Sequence, residues 1–310
     1  MKVSVLLASF NGERFLPAQL ASLRSQTESD IGILWQDDGS VDGSRSILED
    51  LSREDPRFRP GLEQGRHFGA PGNFFSMLRQ TDSDYILFCD QDDVWEPAKI
   101  SVLLRACQAA EKETGPKTPV LVHSDAALVD ENGHRLAPGF FALQGWDPRA
   151  VGLNRLLVQN NVTGCMLLMN RALADLAVRY GDPSRMFMHD WFIALTAAAF
   201  GRIVFLDQPL TLYRQHGENA IGASRDSLFR RGMKALRERE KARERIALTY
   251  SHARAFADAY GGVLPPDARK TVDAYLATES MPKFQRIRTV RRLGCLMQSP
   301  LTRMGQFFFG

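Results

Sequence analysis

The chain of 310 residues is poor in cysteine and has no long apolar run. Its cysteines show neither the paired spacing of a metal site nor that of a disulfide framework, which excludes both as organising features. They are Cys89, Cys107, Cys165 and Cys295. No window approaches the roughly 18 apolar residues of a membrane span, and the opening MKVSVLLASFNGERF lacks the pattern of a signal peptide. The sequence therefore predicts a protein of the reducing cytoplasm.

The net charge is only +3, but the charges are unevenly distributed. From Arg225 to Gly310 there are 18 lysines and arginines against 8 acidic residues, a balance of +10. The first 224 residues hold 21 against 28, a balance of −7. The sequence therefore predicts an acidic body, 1–224, and a basic extension, 225–310.

Short apolar runs alternate with segments of helical periodicity in the first half of the chain. KVSVLL, IGILWQ and YILFC predict buried strands, and the segments between and after them predict helices. Such alternation is typical of parallel strands joined by right-handed crossovers, and ligands bind beyond the carboxyl ends of such strands. We therefore expect one edge of the sheet to carry Ala8, Ser9, Phe10, Asn11, Asp37, Asp38, Asp90, Asp92 and Asp93.

The second half predicts mixed structure. VLVHSDAALVD and TGCMLLMN predict strands, HDWFIALTAAAF predicts a helix, and GRIVFLDQPLTLYR predicts a short hairpin or strand pair. From Arg225 onward the sequence is helical, basic and amphipathic, and GGVLPP divides it into two pieces.

Three carboxylates are crowded into four positions of LFCDQDDVW: Asp90, Asp92 and Asp93. Like charges at close range raise the cost of ionising one another, so a cation is the expected partner. Mg²⁺ and Mn²⁺ prefer oxygen ligands and often combine carboxylates with substrate phosphates. The alternative is a helix N-terminus at which acidic residues complement the dipole.

The segment WQDDGSVDGS also follows a predicted strand. An Asp at that strand end, Asp37 or Asp38, would accept a hydrogen bond from a pyrimidine N–H, and Phe10 from the neighbouring strand would stack on the base. The alternative is an ordinary loop, because Asp-Gly-Ser is common turn material.

Two motifs of the second half predict further site residues. In MHDWF, Asp190 lies between His189 and Trp191, a setting that tunes a carboxylate for general-base catalysis, although a helix N-cap is the alternative. In LYRQHGENAIG, His216 would complete a metal shell and Arg214 would neutralise phosphate, unless the segment is a solvated surface loop.

Taken together, these segments resemble a family 2 glycosyltransferase with the GT-A fold. The resemblance rests on VSVLLASFNGERFLPAQLASLRSQT, WQDDGSVDGS, GNFFSMLRQ and YILFCDQDDVWEPAKI. With NNVTGCMLLMNRAL and the segment from MHDWF to HGEN, the chain is similar to the bacterial rhamnosyltransferase-like branch, from Lys2 to about Gly222. This implies an α/β fold with a mostly parallel central sheet flanked by helices. It also implies a nucleotide-sugar half, 1–116, a catalytic half, 117–224, and a basic helical extension, 225–310.

The resemblance implies roles for single positions. The base and ribose pocket would be lined by Ala8, Phe10 and Asp38, with Asp37 close by. The Asp-x-Asp motif that holds the metal and the diphosphate is matched by Asp90 and Asp92, with Asp93 sharing that work. Asp190 matches the catalytic base and His216 a histidine beside the metal, while Asn73 and Gly164 would be structural or shape the substrate site. The family usually has Tyr in the first loop, so Phe10 can stack but has no hydroxyl to donate.

The resemblance also implies the reaction. It is an inverting transfer that uses Mg²⁺ or Mn²⁺, from dTDP-L-rhamnose or else a UDP-hexose, to a saccharide acceptor on a lipid carrier, as in O-antigen or capsule assembly. The basic extension would lie on the anionic inner face of the cell membrane or pack on the body with its arginines in solvent.

Two other classes compete with this interpretation. A sugar nucleotidyltransferase usually has a glycine-rich first loop with a basic residue, whereas ASFNGERF has one glycine followed by Glu13. A nucleic-acid-binding protein would use the basic extension, but it leaves the acidic clusters unexplained, so we expect no nucleic-acid partner.

Overall fold

The computed structural model describes residues 2–216 and 233–309 and contains nine strands in that part of the chain. The strands are β1 (Val3–Ser9), β2 (Ile31–Asp37), β3 (Phe58–Pro60), β4 (Tyr85–Cys89), β5 (Val94–Trp95), β6 (Val120–Val129), β7 (Arg135–Ala137), β8 (Leu167–Asn170) and β9 (Arg202–Arg214). All nine belong to one sheet. The apolar runs KVSVLL, IGILWQ and YILFC correctly predict β1, β2 and β4, whereas β3 and β5 were not predicted.

The helices flank this sheet and continue beyond it. They are α1 (Leu16–Arg24), α2 (Ser44–Glu54), α3 (Gly69–Gln80), α4 (Lys99–Thr114), α5 (Phe140–Gln144), α6 (Leu153–Leu156), α7 (Arg171–Tyr180), α8 (His189–Phe200), α9 (Met233–Tyr260), α10 (Pro266–Ala277), α11 (Lys283–Leu293) and α12 (Pro300–Phe309). Short 3-10 turns include Gly164–Met166 and Gly261–Val263.

The strand order is β3-β2-β1-β4-β8-β6-β9-β5, with β7 paired to β6. The first four strands in this order are mutually parallel, β8 is antiparallel to both of its neighbours, and β6 and β9 are again parallel. The short strands β5 and β7 run antiparallel to their partners. Six of the nine described strands thus point the same way, as the mostly parallel sheet of the prediction requires.

Alternating side chains of the central strands feed two hydrophobic cores. In β1, Val3, Val5 and Leu7 face the core formed with α1, α2 and α4, whereas Leu6 faces the other core. The second core is formed with α3, α7, α8 and the helices of the extension. A sheet covered on both faces explains why its strands are continuously apolar rather than alternating.

The predicted hairpin in GRIVFLDQPLTLYR is wrong, because this segment is the single strand β9. Its first residues pair with β6, the register shifts near Asp125 where Pro209 lies opposite, and Leu212 pairs with both β5 and β6. Proline lacks the N–H that a regular ladder needs and is found at bulges. The prediction of a strand throughout TGCMLLMN is also corrected, since Gly164–Met166 is a 3-10 turn before β8.

The described part of the extension packs on the body. The Tyr260 ring of α9 stacks on Phe192 of α8 with centroids 5.7 Å apart, and its hydroxyl lies 2.8 Å from the Thr196 hydroxyl. The His252 ring lies 4.6 Å from that of Trp191. The predicted basic cluster Arg230-Arg231 lies outside the described residues. Among the described residues, none of the helices combines the length and apolar character needed to cross a bilayer.

Candidate active site

The ends of three adjacent parallel strands meet at one edge of the sheet. In the ladder, Ser9 of β1 is opposite Asp37 of β2, and Leu7 of β1 is opposite Cys89 of β4. The loops that begin with Phe10, Asp38 and Asp90 therefore leave the sheet side by side. The structure confirms that these segments share one edge, which local sequence pattern and the strand-end rule had predicted.

The loop after β2 forms one wall of this edge. Both carboxylate oxygens of Asp38 accept backbone N–H groups, from Phe68 at 2.6 Å and Gly69 at 2.9 Å, and thereby hold the start of α3. The His67 ring lies 5.0 Å from that of Phe10, which is 44% exposed. Phe10 is therefore available for stacking, whereas Asp38 already serves as a backbone anchor. Nothing in the sequence pattern pointed to His67.

Three further predicted residues line the interior of this wall. Asp37 is buried, and one of its carboxylate oxygens accepts the N–H groups of Gly39 and Ser40, which closes the loop. Asn73 is buried and donates to the carbonyl of Gln36 at 3.2 Å. Ala8 is half-buried in β1 and packs against the core. In this structure Asp37 and Asn73 shape the loop from behind.

Gln91 is a residue that the sequence analysis missed. Its side chain accepts the Phe10 N–H at 2.7 Å and donates to the Phe10 carbonyl at 2.8 Å. The loop after β4 is thus paired to the loop after β1 by an amide that mimics a strand neighbour. A Cβ at Gly12 would collide with the same amide, so Gly12 is needed for this close approach.

The acidic cluster lies where β4 ends. Ligand atoms of Asp90, Asp93 and Cys165 all lie within 4.8 Å of one another. Burial, with the negative charge of Asp92 beside it, raises the pKa of Asp93 to about 7 and that of Asp90 well above its ordinary value. Oδ2 of Asp93 is buried and accepts no N–H or O–H from the described residues. Crowded carboxylates with an unfilled oxygen fit a hard divalent cation, since such ions take oxygen ligands.

Cys165 does not fit that ligand set. Burial raises the pKa of its thiol well above the ordinary value, so the sulfur stays protonated. A cationic side chain that was not predicted, the fully buried Lys99, lies beside the cluster. Its ammonium group donates to the Thr211 hydroxyl at 2.8 Å and to the Cys165 carbonyl, and lies 3.6 Å from the Trp95 ring centroid. Burial lowers the Lys99 pKa to about 8, while Asp93 and Asp90 oppose that shift.

His216 lies beside Asp92, as the metal prediction requires. Its Nε2 is 2.8 Å from Oδ2 of Asp92, and its side chain is nearly buried. Arg214, predicted to neutralise phosphate, makes contacts within the protein. Its guanidinium donates to the carbonyls of Asp92 at 2.8 Å and Glu131 at 2.7 Å, while its backbone N–H donates to Asp93. Arg214 thus holds the acidic loop in shape from β9.

Asp190 lies in the first turn of α8 and is buried. One oxygen accepts the Asn160 side-chain amide at 3.1 Å and the other accepts the Gly164 N–H at 3.0 Å. Burial raises its pKa to about 6 in spite of these hydrogen bonds. A carboxylate with a pKa near neutrality is suited to accept a proton at physiological pH.

The neighbours of Asp190 in sequence have other surroundings. His189 is wedged between two aromatic rings, 4.3 Å from Phe74 and 5.0 Å from Phe88, and burial lowers its pKa to about 3, so it is neutral. Trp191 points into the core and donates to the Leu156 carbonyl at 2.6 Å. The two residues thus fix α8 in place, and Asp190 accepts a hydrogen bond from the Gly164 turn.

The turn at Gly164 connects the two carboxylate sites. Gly164 binds Asp190, and the next residue, Cys165, lies against Asp90 and Asp93. The charge of Asp190 is close enough to contribute to the raised pKa of Asp90. A Cβ at Gly164 would lie 2.9 Å from Nε2 of His189, so a side chain has no room there. One short turn therefore places Asp190, a carboxylate with a raised pKa, next to the carboxylate cluster that begins at Asp90.

Comparison with solved structures defines the class of fold. The chain superposes on the TarS protein of S. aureus in complex with UDP-GlcNAc with a TM-score of 0.60 and 16% identity, covering 99% of this chain and 87% of that one. Identity this low shows the fold alone. The architecture is therefore the GT-A glycosyltransferase fold that the resemblance implied.

The sequence relationship gives the family. The profile described as glycosyl transferase family 2 matches residues 4–174, which is more than half of the chain. The chain belongs to this family, and the expectation of a glycosyltransferase is confirmed at that level.

Two relatives show how far this similarity extends. An uncharacterized glycosyltransferase of Nostoc sp. is 27% identical over 226 residues, which cover 71% of this chain and 66% of that protein. The dTDP-rhamnosyl transferase RfbG of Shigella flexneri is 28% identical over 227 residues, covering 70% of this chain and 74% of that protein.

Proposed function

We propose that this protein transfers a sugar from a nucleoside diphosphate donor to an acceptor hydroxyl in a single displacement that inverts the anomeric centre. The observation that carries the proposal is the turn at Gly164, which joins a buried carboxylate of raised pKa to the acidic cluster. A transferase needs both parts within one substrate length: a base for the nucleophile and a site for the leaving diphosphate.

Asp190 is the catalytic base of this proposal. It removes the proton from the acceptor hydroxyl, whose oxygen attacks the anomeric carbon as the bond to the diphosphate breaks. The Asn160 amide and the Gly164 N–H orient the carboxylate, and burial keeps it basic. These contacts hold the base in one position, which is the geometric requirement for proton transfer in the transition state.

The acidic cluster is the proposed diphosphate site. Asp90, Asp92 and Asp93 would hold Mg²⁺ or Mn²⁺, with His216 beside Asp92. When bound, such an ion supplies positive charge against the developing charge of the leaving group. Arg214 keeps the loop that carries these carboxylates in place.

The proposed donor is dTDP-L-rhamnose, with a UDP-hexose as the second candidate. The relative from Shigella is named a dTDP-rhamnosyl transferase, and this supports the first choice. The bound UDP-GlcNAc of the S. aureus structure supports the second. In either case the pyrimidine would lie between Phe10 and the loop that Asp37 and Asp38 organise, with Ala8 and Asn73 shaping the pocket.

The proposed acceptor is a growing saccharide on a lipid carrier in cell-surface polysaccharide synthesis, such as O-antigen or capsule. Growth of a lipid-linked saccharide would place the protein in the cytoplasm, at the inner face of the membrane. We expect no nucleic-acid partner, because nucleic-acid binding would leave the acidic clusters without a function, whereas the transferase site uses them.

Titration calorimetry tests the donor site. We would titrate the protein with dTDP and with UDP, each in Mn²⁺ and in EDTA, and repeat the series with Asp92→Asn. The matched control is Asp82→Asn, an exposed carboxylate at the amino end of β4. We expect metal-dependent binding that Asp92→Asn loses and the control keeps, and the tighter nucleotide identifies the donor class. Failure of both nucleotides to bind in either condition would overturn the proposal.

A further inference from the structure

Helix α12 exposes apolar side chains on one face. Leu301, Met304 and Phe308 are 76%, 56% and 58% exposed, and their spacing of three and four residues puts them on one stripe of the helix. Phe284, at the start of the neighbouring helix α11, is 87% exposed. Lys283, the residue before it, has its ammonium 5.1 Å from the Phe308 ring. The α12 stripe consists of the exposed apolar side chains of Leu301, Met304 and Phe308 on α12, together with Phe284 on α11.

The opposite face of α12 is the one that holds it to the protein. Gln306 is buried, donates to the Cys295 carbonyl at 2.8 Å and accepts the Met297 N–H at 3.2 Å. Arg303 donates to the Met297 carbonyl at 3.0 Å. An ordinary surface helix buries its apolar face and exposes its polar face. Helix α12 departs from this rule: Phe307 packs against the core, but Leu301, Met304 and Phe308 remain more than half exposed while Gln306 is buried.

The chain segment that carries the stripe has charge of one sign. From Met281 to Gly310 the sequence holds six lysines and arginines and no acidic residue. Arg288, Arg291 and Arg292 are exposed on α11, and the Arg291 guanidinium lies 4.7 Å from the Phe307 ring. A second copy of this chain would bring two such positive surfaces together, which disfavours self-association through this face.

We propose that the α12 stripe and the arginines of α11 dock the protein onto an anionic lipid bilayer. Apolar side chains that enter the interface, rimmed by cations that meet acidic headgroups, are the two features of an interfacial helix. Each cation near such a surface contributes about a fivefold gain in affinity. The docking surface is distinct from the sugar-transfer site, and the inference does not depend on which donor or acceptor that site takes.

Vesicle flotation with the full chain tests this surface. The probes are vesicles of phosphatidylcholine alone and vesicles that also contain phosphatidylglycerol. We expect the wild-type protein to float with the anionic vesicles and to stay at the bottom with the neutral ones. The variant Leu301→Ser/Met304→Ser/Phe308→Ser should lose flotation. It removes side chains that are already exposed, and an unchanged thermal melting curve would show that it folds.

Matched controls distinguish binding through this stripe from nonspecific binding through other exposed apolar side chains or other arginines. Leu62→Ser/Leu136→Ser/Val263→Ser removes three exposed apolar side chains elsewhere and should float like the wild type. Arg288→Gln/Arg292→Gln should weaken binding by roughly 25-fold, about fivefold for each arginine. Arg53→Gln/Arg59→Gln, which changes exposed arginines of the body, should not weaken it.

The decisive comparison is between the stripe variant and the wild type. Equal flotation of the two on anionic vesicles would overturn the proposal, and so would a wild-type protein that fails to float at low salt. A protein that binds dTDP or UDP with metal but does not float would refute the docking surface and leave the transferase proposal standing. Flotation without nucleotide binding would support docking and count against the transferase.

Discussion

Asp190 and the cluster of Asp90, Asp92 and Asp93 place the same residue type in two different environments. Asp190 is held by an amide and a backbone N–H, and its pKa is raised to about 6 by burial. Asp93 shares its surroundings with other carboxylates and the buried Lys99, and its pKa is raised to about 7. The first environment makes a carboxylate that takes up one proton. In the second, burial and crowding make it unfavourable to ionise all the carboxylates without a cation beside them, so the neighbours of each carboxylate decide its chemistry.

The largest expected effect comes from Asp190→Asn. The side-chain amide of Asn cannot remove the proton from the hydroxyl of the acceptor substrate, so we expect kcat to fall at least about 100-fold. Donor binding should stay within about twofold of the wild-type value, because the acidic cluster is intact. Steady-state kinetics and nucleotide titration on the same preparation measure both quantities.

The control for this variant is Asp175→Asn, an exposed carboxylate of α7 that should keep full activity. If Asp190→Asn retained most of its kcat, Asp190 would not be the base, and the contrast between the two carboxylate sites would lose its catalytic meaning.

A smaller loss is expected from Gly164→Ala, which acts on the link between the two sites. The added methyl group would lie 2.9 Å from Nε2 of His189, a ring that Phe74 and Phe88 hold in place. The turn must shift, so we expect a stability loss of about 1–3 kcal/mol and a lower kcat. Chemical denaturation and kinetics check this, with Gly32→Ala as control because its Cβ meets open space. Unchanged kcat and stability would show that the turn tolerates a side chain.

The variant Lys99→Met removes the buried ammonium group beside the acidic cluster and keeps a side chain of similar length. Without the ammonium group the carboxylates lose their compensating charge, and the metal-free protein should lose about 3 kcal/mol of stability. Mn²⁺ should restore more stability to this variant than it adds to the wild type, because it supplies the missing charge. Denaturation in EDTA and in Mn²⁺ measures the difference, with the exposed Lys112→Met of the same helix as control. An equal response to Mn²⁺ in variant and wild type would exclude this role for Lys99.

The smallest effect is the pH dependence of the wild-type reaction. Asp190 must be deprotonated to act as a base, so kcat should rise with pH on an acidic limb with a midpoint at about 6. The contribution of Asp190 to the stability of the fold changes with pH in the opposite direction to kcat. A carboxyl with a raised folded-state pKa stabilises the fold below its ordinary pKa of 3.8, and that contribution is lost as the pH rises through about 6. A midpoint that moved with metal concentration would assign the limb to the cluster instead.

Much of the fold could be predicted from local pattern. The runs VSVLLAS and YILFC have the apolar composition of buried strands and are β1 and β4. HDWFIALTAAAF is predicted as a helix and is α8 in full. The error at β9 has a physical cause, since Asp207, Gln208 and Pro209 have turn composition, but pairing with β6 across a register shift keeps the segment extended. Tertiary pairing outweighs local preference there.

The sequence by itself determined where β1, β2 and β4 lie, and with them the edge at which Phe10, Asp38 and Asp90 lie, because these follow from local periodicity and the rule for parallel sheets. Only the tertiary structure decided that the buried Lys99 lies beside the acidic cluster, that the Gly164 turn binds Asp190, and that α12 exposes its apolar stripe. Those contacts join residues far apart in the chain or depend on how a helix is anchored. Neither is encoded in the spacing of neighbouring residues, which is all that a local pattern reports.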